Sequence, residues 1–427
     1  MNADVLIVGA GPAGLAAAIE LRRLGAGRVV VADRETEPGG VPRHSAHTGY
    51  GLRDLHRVMT GPVYARRYAA AAVRAGAEIR AGTTVTGWPG DRVATLTSAD
   101  GIETVTARAV LLASGCRERP RPARLVPGDR PHGVMTTGEL QQRVYLGGER
   151  LPGRALVVGA EHVSFSALVT LAHAGADVVA LVTDQPRQQS YAAFAVAAAA
   201  RWRVPVWTST AVGPVTGHGR LAAVELADVR SGAARRVACD TLVFTGDWIP
   251  DHELARLAGA RIDPGTRGPA VDTALETSVA GVFAAGNLVH AAETADVAAL
   301  SGRHAARHIA AALGLAARPD GGDHAGPDAP RPAGAVLVPV TAEPPLAWIS
   351  PNAIRIPAGA PATPPPRGRF VLRSQEFRRR GVLEVRQDRR RLVRVRARLI
   401  PGRSVTLGAG WLARADPSAG PVSVHVA

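Results

Sequence analysis

The sequence predicts an α/β protein: two doubly wound domains with parallel sheets, followed by a small all-β domain. Three observations lead there. Strand-period and helix-period apolar runs alternate through the first three quarters of the chain, the pattern of parallel sheets crossed by helices. A strand–turn–helix unit near the N-terminus is echoed by a second near residue 160. Beyond residue 334 the helical period gives way to short runs that alternate apolar residues with arginine.

The elements follow in order. A strand is expected at residues 5–9, a helix at 14–24 and a second strand at 28–33. A helix pattern at 64–75 precedes strand patterns at 78–88, 93–98 and 105–114. The second unit reads as strand 155–160, helix 164–174 and strand 177–183. A strand at 241–245 leads to VFAAGN at 282–287 and a long helix at 297–313. Residues 317–334, rich in Pro, Gly and Asp without apolar period, read as a linker. AVLVPV, WISPNAIRI, RFVLRSQ, GVLEVRQD, RLVRVRARLI, SVTLGAGWLA and PVSVHVA then read as strands of a sandwich or open barrel.

Bulk composition narrows the classes. At 427 residues, 46% hydrophobic, and without an apolar run of membrane-spanning length, the chain reads as soluble and globular. Its N-terminus lacks a basic flank and its apolar run breaks at a glycine turn, so a buried strand is expected rather than a signal peptide. Cys116 and Cys239 are the only cysteines and no CxxC occurs, which fits a reducing cytoplasm and excludes a local redox disulfide. All 51 basic residues are arginine. Without lysine, Schiff-base and lysine-base chemistry is excluded. No Gly-x-Ser-x-Gly elbow supports a hydrolase, and no ligand spacing supports a metal.

The first turn carries the strongest motif. Gly9-Ala10-Gly11-Pro12-Ala13-Gly14 follows an apolar strand and opens an alanine-rich helix, the context in which GxGxxG has force. The first glycine makes the turn, the second lets a pyrophosphate approach the backbone, and the third permits close helix packing. The helix N-terminus supplies amides and positive dipole to the phosphates. Asp33 ends the next strand, 19 residues after Gly14, where a carboxylate can accept from an adenosine ribose.

Over residues 1–315 the sequence resembles the two-dinucleotide-domain flavoproteins, the pyridine nucleotide–disulfide oxidoreductases in the broad sense. The resemblance rests on GAGPAG, DRETEPGG (33–40), VLLASG (110–115) and TSVAGVFAAGN (277–287). It implies an FAD domain with an inserted NAD(P)-like domain, both Rossmann-like. FAD at the first site is then held by the GAGPAG turn and Asp33, by Gly39-Gly40, by the Ser114-Gly115 crossing, and by Gly286-Asn287 at the ribityl chain. Arg34 and Val85 complete the cofactor-binding set. The implied boundaries are 1–118 and 246–316 for the FAD domain, 119–245 for the inserted domain, and 335–427 for the Arg-rich β domain. A narrower resemblance is to members without a redox disulfide: amine and imino-acid dehydrogenase or oxidase subunits, and flavoproteins paired with glycerol-3-phosphate dehydrogenases. GCRERPRPARLVPGDRPHG (115–133), GGVPRHSAHTGYG (39–51) and GNLVHAAETADVAALSG (286–302) are similar to their segments, with His47 at the family histidine.

Hydride transfer to a flavin needs a positioned substrate, a group for the accompanying proton, and stabilisation of the reduced ring. His47 is the first candidate for proton handling, with His44 behind it. His290 and Glu293 follow Asn287 and precede a helix whose amides can stabilise the anionic flavin edge. Against this stand the structural alternatives, in which loop histidines are packing residues and Glu293 or Asp296 only caps the helix. Cys116 reads first as a small buried residue, and Arg117, Glu118 and Arg119 as an ion-pair network.

The second unit, VVGAEHVSFSAL (157–168), keeps Gly159 but has Glu161 and Ser164 where the later glycines belong. A carboxylate at the pyrophosphate position brings bulk and like-charge repulsion, so ordinary NAD(P) binding is disfavoured, although Asp184 remains placed for a ribose. The Lys–Glu pair of glutathione-reductase-like members is also missing, with Ser166 at the position of its Glu. The expectation is an FAD-dependent dehydrogenase or oxidase taking a hydride from a small substrate, an amine or amino acid, and passing electrons to oxygen, a quinone or a partner protein. The alternatives are an NAD(P)H-dependent flavin reductase and a structural or docking subunit of a hetero-oligomer. The last is motivated by 15 Arg against four acidic residues between positions 367 and 427. No RNP-like or helix-turn-helix pattern supports specific nucleic-acid binding.

Overall fold

The computed structural model describes residues 1–291, 293–315 and 334–427, so that 317–333 of the expected linker lie outside the described residues. The chain forms two compact units: Met1–Arg43 with Thr48–Cys116 and Pro250–Ala427, and His44–His47 with Arg117–Ile249.

In the first unit the Val/Ile-rich run Asn2–Val8 is buried over most of its length, as a central parallel strand must be. The parallel strands lie in the order Glu78–Arg80, Val29–Ala32, Asn2–Val8, Gly101–Leu112, Val282–Ala284. Gly101–Leu112 also pairs antiparallel with Val93–Ser98, and that strand with Thr84–Gly90. The single strand expected at 78–88 is therefore two, because the chain turns at Ala81 and Gly82. Helices Pro12–Arg23 and Ala295–Ala312 pack closely through small residues; a Cβ on Gly302 would strike the Ala13 carbonyl.

The β tail belongs to this same unit. A five-stranded sheet, in the order Ala353–Ile356, Val336–Ala342, Val422–Val426, Arg378–Gln387, Arg390–Leu399, accompanies a three-stranded sheet of Leu346–Ser350, Arg369–Ser374 and Ser404–Gly408. Their shared core holds Leu383, Val385 and Val424, with Phe370 stacked on Trp411 at 5.3 Å. WISPNAIRI, which reads as one run, turns at Pro351 and Asn352 and supplies a strand to each sheet. Arg390–Leu399 is an edge strand with Arg394, Arg396 and Arg398 exposed, charge that discourages pairing with other chains. Arg355 fastens the tail to the parallel-sheet part: its Nε donates to Asp272 at 2.6 Å and its Nη2 to Glu276. Asn352 Oδ1 accepts from the Val271 N–H at 3.2 Å.

The second unit has a parallel sheet in the order Val134–Thr136, Thr241–Phe244, Gly153–Val158, Ala176–Val182, Val206–Trp207. Its strands are buried on both faces. Val157, Leu181 and Val243 pack under helix His162–Ala174 through Phe165, Leu168 and Leu171. Leu156, Val182 and Phe244 pack on the antiparallel sheet Thr210–Thr216, Ala223–Asp228, Ala234–Ala238 through Val215, Val224 and Leu226. The fold class is the one the sequence predicts, two doubly wound parallel sheets with a β tail. Among the described residues no helix is long and apolar enough to cross a membrane.

Candidate functional site

Sheet register builds the first site. Val8 lies opposite both Ala32 and Leu112, and Leu112 opposite Ala284, so several strands end together at their carboxyl ends. That end of an open α/β sheet is where ligands bind. Gly9, Ala113 and Ala285 continue the ladder by N–H donation to the carbonyls of Ala32, Val8 and Leu112, at 2.8, 2.8 and 3.0 Å. Gly9 has φ +107°, and a Cβ there would strike the Ala113 carbonyl. A Cβ on Gly14 would strike Gly9. Gly11 differs: within 4 Å of its absent Cβ there is nothing. The second glycine therefore opens onto space at an N-terminus with no side-chain cap and no acidic residue in its first turn. Such a cradle fits a dinucleotide pyrophosphate.

Two other glycine segments close on the same turn. The Gly39 N–H donates to the Ala10 carbonyl at 2.8 Å, and a Cβ on Gly40 would lie 2.9 Å from Gly11 Cα. A Cβ on Gly286 would lie 2.8 Å from that of Ala13. Asp33 braces the turn, its Oδ2 accepting from the Ala10 N–H at 2.5 Å and its Oδ1 from the Glu35 N–H at 2.8 Å. Arg34 is exposed, 3.9 Å from Asp251, and Val85 is partly buried against the core. Ser114 and Gly115 are tied to the returning chain: Ser114 Oγ donates to the Asp251 carbonyl, and the Asp251 N–H to that of Gly115, both at 3.0 Å. Asn287 spends its amide locally, donating to the Glu293 carbonyl at 3.2 Å and accepting from its N–H at 3.0 Å. Among the described residues, one amide hydrogen and one lone pair of Asn287 have no partner, enough for a ligand hydroxyl.

The structure brings His290 and Glu293 together with the β tail. The His290 ring lies 5.3 Å from that of Trp348, and the Arg373 guanidinium lies over the same indole, 5.5 Å from its centroid. Ser404 Oγ donates to Glu293 Oε1, and Arg373 Nη2 donates to Ser404 Oγ at 3.3 Å. Burial pulls the His290 pKa down, against the opposing pull of Glu293, so the imidazole is neutral at pH 7. Glu293 does not cap the helix. Asp296 sits in its first turn, accepting from the Arg53 N–H at 3.1 Å and pairing with the Arg53 guanidinium at 3.2 Å. His47 and His44 belong to the second unit, His47 half-buried and His44 buried. Trp348, Arg373 and Ser404 carry no local motif; only the fold brings them to the helix. The Tyr64 and Tyr68 hydroxyls, which donate to buried Asp54 at 2.6 and 2.7 Å, are equally silent in sequence.

The second nucleotide fold repeats the architecture with a different occupant. Val158 lies opposite Val182 and Phe244, and the Gly159 N–H donates to the Val182 carbonyl at 2.7 Å. Here Glu161 turns its carboxylate back onto the loop. Oε2 accepts from the Ala160 N–H at 2.9 Å, and Oε1 accepts from the Thr245 hydroxyl at 2.5 Å. Ser164, fully buried, hydrogen-bonds the same hydroxyl at 2.7 Å. Ser166 accepts from Gln141 at 2.8 Å, and Asp184 is exposed. Of the charged triplet after Cys116, Arg119 pairs with Asp247 at 3.2 Å. Glu118 instead accepts from the Gly138 N–H at 2.7 Å, and burial pushes its carboxyl up to about 7.

An uncapped glycine cradle, a bracing strand-end acid and a flavin-family crossing together define an FAD-binding protein. Residues 3–302 match the family described as pyridine nucleotide-disulphide oxidoreductase, and the chain belongs to that family. It is 35% identical over 160 residues to hydrogen cyanide synthase subunit HcnB of Pseudomonas aeruginosa, covering 37% of this chain and 34% of that one. The chain thus spans about a third of that relative. It is 30% identical over 347 residues to an opine oxidase subunit of Rhizobium meliloti, covering 73% and 71%. In structure it is similar to T. acidophilum thioredoxin reductase, with TM-score 0.62 and 23% identity over 73% of this chain and 98% of that one.

Proposed function

We propose that the chain is an FAD-dependent dehydrogenase or oxidase that takes a hydride from a small organic substrate, an amine or amino acid, in the cytoplasm. The observation that carries this reading is Glu161. It stands where the second glycine would let a pyrophosphate approach, and its carboxylate lies on the turn between the Ala160 N–H and the Thr245 hydroxyl. Bulk and like charge therefore oppose a second dinucleotide, and the reductant enters at the flavin site and not through NAD(P)H. The missing lysine and CxxC also speak against relay to a disulfide. Bound FAD supplies the hydride acceptor.

The chain's own residues do the rest. The Gly9–Gly14 turn and the helix behind it bind the phosphates, and Asp33 offers its remaining lone pairs to the ribose. His47 takes the substrate proton. His290, neutral by burial, stands ready as a second acceptor, and Glu293 is oriented by Ser404 and Asn287. Electrons leave to oxygen, a quinone or a partner protein, for which the Arg-rich tail is the docking module. Anaerobic stopped-flow mixing tests the reading. Substrate amines bleach the oxidised flavin band and NADH or NADPH leaves it unchanged; prompt bleaching by a nicotinamide nucleotide sinks it. Deletion of residues 330–427 that alters neither turnover nor partner capture removes the docking role.

A further inference from the structure

The β tail and the helix Ala295–Ala312 enclose a small cleft of about 40 Å³, partly open to solvent. Its walls are unusual in charge. Among the described residues, Arg367 and Arg369 are its only ionised lining groups, no carboxylate lines it, and His290 joins them as a neutral ring. The remaining wall is largely aliphatic, including Leu275, Val297 and Val371. Nearby carboxylates are already engaged: Glu293 with Ser404 and Asp296 with Arg53. Arg373, over Trp348, adds a further cation close by. Burial weakens the hold of Arg367 on its proton, with Arg369 and Arg53 adding repulsion and Glu293 and Asp296 opposing it. Within the cleft lining, the buried His290 Nδ1 has no hydrogen-bond partner among the described residues. Buried polar groups left in this state are costly, and a ligand that satisfies them is bound correspondingly well.

We infer that this cleft binds a small carboxylate with a short apolar body, its oxygens facing Arg367, Arg369 and His290 and its carbons the aliphatic wall. Guanidinium–carboxylate hydrogen bonds are charge-assisted, which makes the carboxylate, rather than an amide or alcohol, the fitting end group. The inference goes beyond the proposed oxidation and does not depend on what reduces the flavin. The carboxylate has two sources: the oxidised substrate itself, or a separate effector.

Calorimetric titration of the full-length holoprotein with propionate tests it, with propionamide and propylamine as the neutral and cationic isosteres. Propionate binds saturably and the isosteres do not. Arg369→Gln, at an exposed position, weakens propionate by about tenfold, the loss of one charge-assisted hydrogen bond. Arg367→Gln does the same wherever it retains flavin and a wild-type melting profile. Equal binding of propionate and propionamide, no saturable propionate binding, or affinity unchanged in Arg369→Gln overturns the inference; the isostere series needs no variant to fold. Anaerobic 2-aminobutyrate then separates the sources. Bleaching that Arg369→Gln abolishes makes the cleft the substrate's carboxylate seat. Competition with propionate without bleaching makes it an effector site, and leaves the proposed oxidation to be judged by other amines.

Discussion

The two nucleotide folds share strand, turn and helix, yet treat one position oppositely. In the first, Gly11 leaves the phosphate seat open. In the second, Glu161 puts a carboxylate of the chain itself at the matching position. Glu161 is the N-cap residue of its helix, yet its carboxylate accepts from the Ala160 N–H and the Thr245 hydroxyl and not from the helix amides. On the proposed reading, a nucleotide fold keeps its strand, turn and helix while one glycine position is given over to a side chain of the chain itself.

The comparison breaks most severely when the occupants are exchanged. Gly11→Glu places a like charge where the FAD pyrophosphate approaches, and the flavin content of the purified protein falls to about a tenth or less. The 450 nm band per polypeptide checks this.

Titration sets the units apart next. In the first, burial beside His304, Arg355 and Arg307 pulls His308 down to about 4 from an ordinary 6.5. Its folded-state pKa is depressed, so this stability is present above pH 6.5 and is lost as pH falls toward 4. In the second unit Glu118 is raised from 4.5 to about 7, so its contribution is present below pH 4.5 and is lost as pH rises through 7. Each effect is roughly 3 kcal/mol over its window. Hydrogen exchange resolved by unit between pH 5 and 7 has opposite slopes in the two, and His308→Gln and Glu118→Gln each flatten one. Slopes of the same sign refute the assignment.

Smaller is the effect of Glu161→Gly. It removes the bulk and the like charge, and the rate of flavin reduction by NADH rises about 30-fold, the equivalent of ~2 kcal/mol. A rate that stays at background shows that Glu161 alone does not close the site. Smallest is Arg34→Ala at the rim of the first seat. With the guanidinium exposed and 3.9 Å from its nearest acids, FAD affinity changes by less than about 0.5 kcal/mol, read by flavin fluorescence titration.

What was legible in the sequence is what is local. GAGPAG and the strand-end Asp33 are contiguous signals, and Glu161 announces itself by standing where a glycine belongs. The tail's strands were readable because an apolar–arginine alternation has one structural meaning. Turns inside apolar runs were not: Gly82 splits 78–88, and Pro351 with Asn352 splits WISPNAIRI between two sheets. The surroundings of His290 were hidden for a different reason. Trp348, Arg373 and Ser404 come from 58 or more positions away, and tertiary folding alone makes them neighbours. Nothing local to Asn287 says that its amide clamps Glu293. The helix Ala192–Trp202 left a signal in its alanine run, which its flanking QQSY and RVPV did not frame clearly.

Gly302 sits against the carbonyl of Ala13, and Gly286 against its methyl group. The two halves of the proposed flavin seat are thus written nearly 300 residues apart. On the ribosome the second unit, complete by residue 249, is free to fold while the first still waits for its last parallel strand and its closing helix. Cofactor capture is accordingly a late event in the making of this protein, and a chain stalled before residue 302 carries the fingerprint without the means to keep what it binds.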